Sequence, residues 1–137
     1  MLVVDAGPLV AAAVRNDEDH AECLALLSEH PGPLVVPALV VTEVAYFLHQ
    51  RVGHDAELAF AQAVREGGLQ VESVEPSDWV RITDLVDQYA DLPLGIVDAS
   101  VVVLCERLGA GTLATLDRRH FSVVRPRHCP ALVLLPA

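Results

Sequence analysis

Leu2-Val3-Val4-Asp5-Ala6-Gly7-Pro8-Leu9-Val10-Ala11-Ala12-Ala13 opens the chain, and this stretch decides how the fold is read. Three apolar residues in a row suit a short strand buried on both faces, not one with a wet side. Pro8 suits the first turn of a helix, where its missing N–H is no loss, and the alanines carry that helix to about Arg15. Asp5 stands at the joint between strand and helix. The same unit recurs at Leu34-Val35-Val36, where Pro37 opens a helix that reaches Arg51. Leu113-Ala114-Thr115 is a third such strand, ending near Asp117.

The remaining pattern fills in between. Helices are predicted over 17–29, with Ala21, Leu24 and Leu27 on the apolar face, and over 55–66, closed by Gly67. Two more run over 77–89, capped by Ser77, and over 94–108, stopped by Gly109. Leu69 to Val74 alternates like a half-exposed strand, and Leu132 to Leu135 makes a fifth. Short apolar strands separated by helices imply a three-layer α/β/α sandwich around a mainly parallel sheet of about five strands. The length, 137 residues, predicts one domain spanning 1–137. Sites in such sheets form beyond the C-terminal ends of the strands.

Composition narrows the chemistry. Apolar residues make up 53% of the chain, enough for a core without disulfide or metal staples. Cys23, Cys105 and Cys129 match neither a disulfide framework nor metal spacing, so the chain reads as cytoplasmic and reduced. There is no signal peptide and no apolar run long enough to span a bilayer. Nineteen acids against nine bases give a net charge of −10, which argues against a wholly nucleic-acid-binding surface but not against local binding. All nine bases are Arg. The absence of Lys removes P-loop chemistry and counts against receiver-like signalling domains and haloacid-dehalogenase-type phosphatases. The six histidines show no zinc-type pairing and read as surface or capping groups, and Trp79 reads as a packing anchor.

Four carboxylates stand in core-type surroundings: Asp5 after the first strand, Glu43 in Val-Val-Thr-Glu-Val-Ala-Tyr-Phe, Asp98 in Gly-Ile-Val-Asp-Ala-Ser, and Asp117 in Leu-Ala-Thr-Leu-Asp-Arg-Arg-His. Each alone also fits a structural role: a strand-end acid, a solvated helix acid, a helix cap, or a partner of Arg118 or Arg119. Together, Asp5 and Asp117 fall at one edge of a parallel sheet, and Glu43 and Asp98 sit on apolar helices that should pack on it. Converging carboxylates repel one another, and burying them is costly unless they are paired or bind a metal. An all-oxygen donor set favours Mg²⁺ or Mn²⁺.

At these residues the chain resembles a PIN-domain ribonuclease, most closely the VapC toxins of prokaryotic toxin–antitoxin pairs. The resemblance rests on Val3-Val4-Asp5-Ala6-Gly7-Pro8, Val41-Thr42-Glu43-Val44, Asp91-Leu92-Pro93-Leu94-Gly95-Ile96-Val97-Asp98-Ala99-Ser100 and Thr115-Leu116-Asp117-Arg118-Arg119-His120-Phe121. It implies a metal-dependent endoribonuclease, inhibited by a VapB-type antitoxin and acting as a homodimer. Asp5, Glu43 and Asp98 would be the core ligands and Asp117 the fourth acid, with hydroxyls from Thr42, Ser100 or Thr115 behind them. A metal-activated water would leave a 5′-phosphate and a 3′-hydroxyl. The chain departs from many relatives in having Ala6 and Gly7 where a Thr or Ser follows the first Asp, and Gly95 where some carry an acid. Arg118, Arg119, Arg125 and Arg127 are candidates for RNA phosphate contact. The alternative is a non-catalytic PIN-like module that serves as a subunit of a complex.

Overall fold

The strands are only three or four residues long; those at 2–4, 34–37 and 112–114 are mostly buried, whereas those at 70–72 and 133–135 are not. In the computed structural model, which describes residues 1–137, they are β1 (Leu2–Val4), β2 (Leu34–Pro37), β3 (Gln70–Glu72), β4 (Thr112–Ala114) and β5 (Val133–Leu135). They form one sheet in the order β3-β2-β1-β4-β5, and every pairing is parallel. Parallel neighbours need crossovers, and helices supply most of them. These are α1 (Ala6–Ala13), α2 (His20–Glu29), α3 (Ala38–Phe47), α4 (His54–Arg65), α5 (Asp78–Gln88), α6 (Ile96–Leu108) and the single turn α7 (Arg118–Phe121). The result is the expected three-layer α/β/α architecture. No helix is long and apolar enough to cross a membrane.

Strand order positions the site. The chain lays β2 and β3 on one side of β1, then β4 and β5 on the other. The winding therefore reverses between β1 and β4. A crevice beyond the strand ends at such a reversal is where open α/β sheets hold ligands. Asp5 directly follows β1, and Asp117 follows β4 by three residues.

Helix α6 is the central packing element. Ala99 through Cys105 are all buried, so this helix is covered on every side. It ends at Gly109, whose φ of +68° is the left-handed cap that Gly adopts without strain. Its burial fixes the first turn, and Asp98 stands in that turn. Helix α1 packs on α2 and α3, and α5 packs on α6.

Several elements differ from the sequence reading. The second helix starts at His20, not Asp17, because the Asp17 side chain accepts a hydrogen bond from the Asp19 N–H (2.8 Å) and closes a turn instead. Its inward face runs through Cys23, Leu26 and Leu27; Leu24 is exposed. The third helix ends as a π-helical turn over Leu48–Val52, with Gly53 at φ +136° behind it. Ser77 makes no capping bond. The adjacent Asp78 is the buried residue there, accepting from the Glu75 N–H at 2.9 Å and lying 3.4 Å from Arg107 Nε. Trp79 is not a core anchor: it is 44% exposed on the outer side of α5, in a cavity of about 470 Å³ shared with Ile82, Val86 and Ile96. All three cysteines are free.

Candidate metal centre at the strand reversal

Asp5 is the most buried of the acids, 7% exposed. It caps α1 with extended backbone, and its own N–H donates to the Ala114 carbonyl (2.9 Å), continuing the β1–β4 ladder by one residue. That register brings it beside Thr115, whose Oγ1 donates to Asp5 Oδ2 at 2.8 Å. The same Oγ1 accepts the N–H of Asp117 at 3.0 Å. One hydroxyl thus couples both strand-end acids. Gly7 lies close under Leu116, where an added Cβ would stand 3.2 Å from Leu116 Cβ.

Asp117 caps α7 through its side chain. Its Oδ1 accepts the His120 N–H at 3.0 Å, and its Oδ2 lies 2.5 Å from His120 Nδ1. His120 Nε2 lies 2.9 Å from the Leu92 carbonyl oxygen. Asp98 Oδ2 is 4.0 Å from the same Nδ1. Asp98, Asp117 and His120 each offer a ligand atom, all within 4.8 Å of one another. Glu43, on α3, borders a shallow cavity with Leu39, Thr42, Tyr46 and Val97, the residue before Asp98.

The acids feel one another. Burial pushes the Asp5 carboxyl above its usual range, aided by Asp117, while the Ala6 N–H and Thr115 pull it back. Burial also raises Glu43, with Asp5 and Asp98 adding to the shift, although much of the Glu43 side chain faces solvent. Asp98 is raised by burial, then by Asp5 and Asp117, with His120 and the Gly95 backbone opposing. His120 itself is raised, chiefly by its hydrogen bond to Asp117. Asp5, Glu43 and Asp98 are each harder to ionise, first through burial and then through neighbouring carboxylates, which is the electrostatic condition a divalent cation relieves. The donors are carboxylate oxygens with one imidazole nitrogen beside them, a set that fits Mg²⁺ or Mn²⁺.

The other candidate residues divide. Thr115 faces the acids, and Thr42 borders the cavity with Glu43. Ser100 does not reach the acids: its Oγ donates back to the Val97 carbonyl at 2.6 Å, satisfying a buried hydroxyl within its own helix. The arginine cluster is not one surface. Arg118 bonds the carbonyls of Leu134 and Pro136, and Arg125 bonds that of Ser122 at 2.8 Å. Arg127 borders a bowl with Arg81, Glu106 and His128, and its N–H donates to Glu106. Glu106 lies on α6 about 12 Å from Asp98 along the helix. Arg119, two residues after Asp117, is exposed and takes part in no intramolecular ion pair. His120 was missed as a site residue. Its signal was the three-residue step from Asp117, which puts both side chains on one side of a helical turn.

The PIN-domain family model matches residues 2–125, spanning all four acids. The chain belongs to the PIN-domain family. It is 35% identical over 125 residues to ribonuclease VapC26 of Mycobacterium tuberculosis, covering 91% of this chain and 93% of the relative. That relationship makes it a PIN-domain protein of the VapC ribonuclease type. Among solved structures, it is similar to Mycobacterium tuberculosis VapC20, a sarcin–ricin loop cleaving toxin, with TM-score 0.75 and 22% identity over 82% of this chain and 87% of that one. VapBC2 of Rickettsia felis, bound to a promoter DNA fragment, matches with TM-score 0.68 and 15% identity over 97% and 96%. FitAcB of Neisseria gonorrhoeae matches with TM-score 0.63 and 12% identity over 86% and 88%. At those identities the structural likenesses establish the fold.

Proposed function

We propose that this PIN-domain protein is a metal-dependent endoribonuclease and the toxin of a VapBC-type pair. The observation that supports the reading is the clustering of Asp98, Asp117 and His120 at the strand reversal, with Asp5 tied to Asp117 through Thr115 and Glu43 near enough to feel Asp5 and Asp98; Asp5, Glu43 and Asp98 are raised by burial and then by one another or Asp117. Asp5, Glu43 and Asp98 would hold a Mg²⁺ or Mn²⁺ ion, and Asp117 a further ion, directly or through water. Bound there, the cation would supply an activated water for in-line attack on a phosphodiester and a counter-charge for the transition state. The chain's own part is to present the carboxylates in fixed orientation: Thr115 aims Asp5, the buried α6 aims Asp98, and His120 contacts Asp117. Arg119, exposed two residues after Asp117, would hold an RNA phosphate.

Partners follow from exposed apolar surface. Leu27, Ala56, Ala59 and Phe60 line an open groove between α1, α2 and α4, which offers a VapB-type antitoxin an apolar seat. Tyr46 and Ile96, 70% and 51% exposed near the acids, are the surface a second copy would bury.

The test is cleavage of total RNA and of a structured RNA by antitoxin-free protein, with Mg²⁺, Mn²⁺ or chelator, beside Asp98→Asn. Metal-dependent cutting that leaves 5′-phosphates and is lost in the variant supports the nuclease. Absence of both cutting and metal binding overturns it in favour of a non-catalytic binding module.

A further inference from the structure

The site described above uses its acids as ligands and notes the His120 ring only as a contact of Asp117. That ring is the one side chain joining the two segments that deliver Asp117 and Asp98. Asp117 arrives on the β4–α7 connection, and Asp98 arrives on α6 through the turn at Leu92–Gly95. His120 Nδ1 meets Asp117 Oδ2 at 2.5 Å, and Nε2 meets the Leu92 carbonyl at 2.9 Å. The ring is only 18% exposed, and the next residue, Phe121, is fully buried, so α7 is anchored in the core under it. Asp117 Oδ1 is already held by the His120 N–H, which leaves the ring to orient Oδ2, and the same Nδ1 lies 4.0 Å from Asp98 Oδ2.

We propose that His120 is a positioning residue: by bridging the Asp117 carboxylate to the Leu92 carbonyl, it sets the gap between Asp117 and Asp98. The inference rests on the ribonuclease reading and adds a residue to it. Groups that orient metal ligands in this way typically change affinity or activity by about 10–100-fold when removed. The bridge needs both nitrogens, and the two bonds can be cut separately. An Asn amide nitrogen overlays Nδ1 and keeps the Asp117 bond, and a Gln amide nitrogen overlays Nε2 and keeps the Leu92 bond.

The experiment measures Mn²⁺ affinity by electron paramagnetic resonance, RNA cleavage kinetics and Tm for the parent, His120→Ala, His120→Asn and His120→Gln. His120→Ala is expected to weaken Mn²⁺ binding and lower kcat, each by about 10-fold or more, with KM for RNA within about twofold. The Asn and Gln variants should both bind Mn²⁺ more weakly than the parent, whatever happens to the Tm of the Ala variant. Parental Mn²⁺ affinity in either would overturn the bridge, since one bond would then suffice. A raised KM with unchanged kcat would overturn it in favour of an RNA contact. A parent that neither binds Mn²⁺ nor cuts RNA would overturn the ribonuclease reading itself, whereas a parent that does both, beside a parental His120→Ala, would remove only the positioning role.

Discussion

Thr115 Oγ1 lies 2.8 Å from Asp5 Oδ2, joining residues 110 positions apart in the chain. Its proton goes to Asp5 and one of its two lone pairs receives the Asp117 N–H, so a single hydroxyl serves both acids. Thr115 is 1% exposed, and no water can readily replace it.

Thr115→Val keeps the shape and removes the hydroxyl. Asp5 then loses a donor and the Asp117 N–H loses its acceptor. The expected cost is about 1–3 kcal/mol of stability, read by urea unfolding. Mn²⁺ affinity and cleavage should fall by about 10–100-fold. Thr115→Ser, which restores the hydroxyl, should recover most of the loss; equal defects in Val and Ser would assign the effect to packing.

The metal-free protein should lose stability as pH rises. Asp5, Asp98 and Glu43 have folded-state pKa values above their usual 3.8 and 4.5, so the folded chain holds protons longer than the unfolded one. Their contribution is fully present below those values and is lost as pH rises through the raised ones. His120, raised above 6.5, adds a loss of the same sign at higher pH. Glu106 is lowered, through Arg81 and the Arg127 backbone, so its contribution fades only as pH falls below 4.5. Tm followed upward from about pH 5 in chelator should therefore decline. Saturating Mn²⁺ should flatten the decline, and Asp98→Asn should raise Tm at neutral pH while abolishing cleavage. A Tm that climbs with pH in chelator would contradict the electrostatic account.

Arg119 and Arg127 should separate in RNA binding. Arg119→Ala is expected to weaken binding across RNA sequences and to reduce the salt slope by about 1. Arg127→Ala, on the far bowl with Glu106, should leave the slope unchanged. Fluorescence anisotropy with chelator present reads both, and equal slopes for the two variants would discard the assignment.

Glu106 should matter to the fold and not to the chemistry. It takes two bonds from Arg81, Nε and Nη2 each at 3.0 Å, and one from the Arg127 N–H at 2.8 Å. The pair is only 13% and 11% exposed. Glu106→Ala leaves the Arg81 guanidinium buried without its carboxylate, at a cost of about 3 kcal/mol. Active-site titration with Mn²⁺ should show the surviving folded protein at parental affinity.

The parallel sheet was legible because Leu2-Val3-Val4 and Leu34-Val35-Val36 are apolar without alternation, and only a sheet covered on both faces accepts that. The candidate acids were legible because each stands among core residues, where an ionised group needs a reason. One helix start was less so: a turn closed by the Asp17 side chain delays α2 to His20, whereas α5 does begin after Ser77, though without the expected side-chain cap. The apolar face of α2 was misplaced because its helix begins three residues late, which turns Cys23 inward and Leu24 outward.

The sequence by itself determined the fold class, the sheet edge that carries the site and the four acids, because hydrophobic pattern and misplaced charge are local properties. Tertiary structure decided which other side chains join them. Thr115 reaches Asp5 only through the register of β1 with β4, while Ser100, two residues after Asp98, bonds its own helix instead. His120 enters the site and Arg127 leaves it because α7 folds back over the Leu92 turn while the chain beyond it runs to the far end of α6. Such placements depend on distances between segments remote in sequence, and those are set by packing of the whole core.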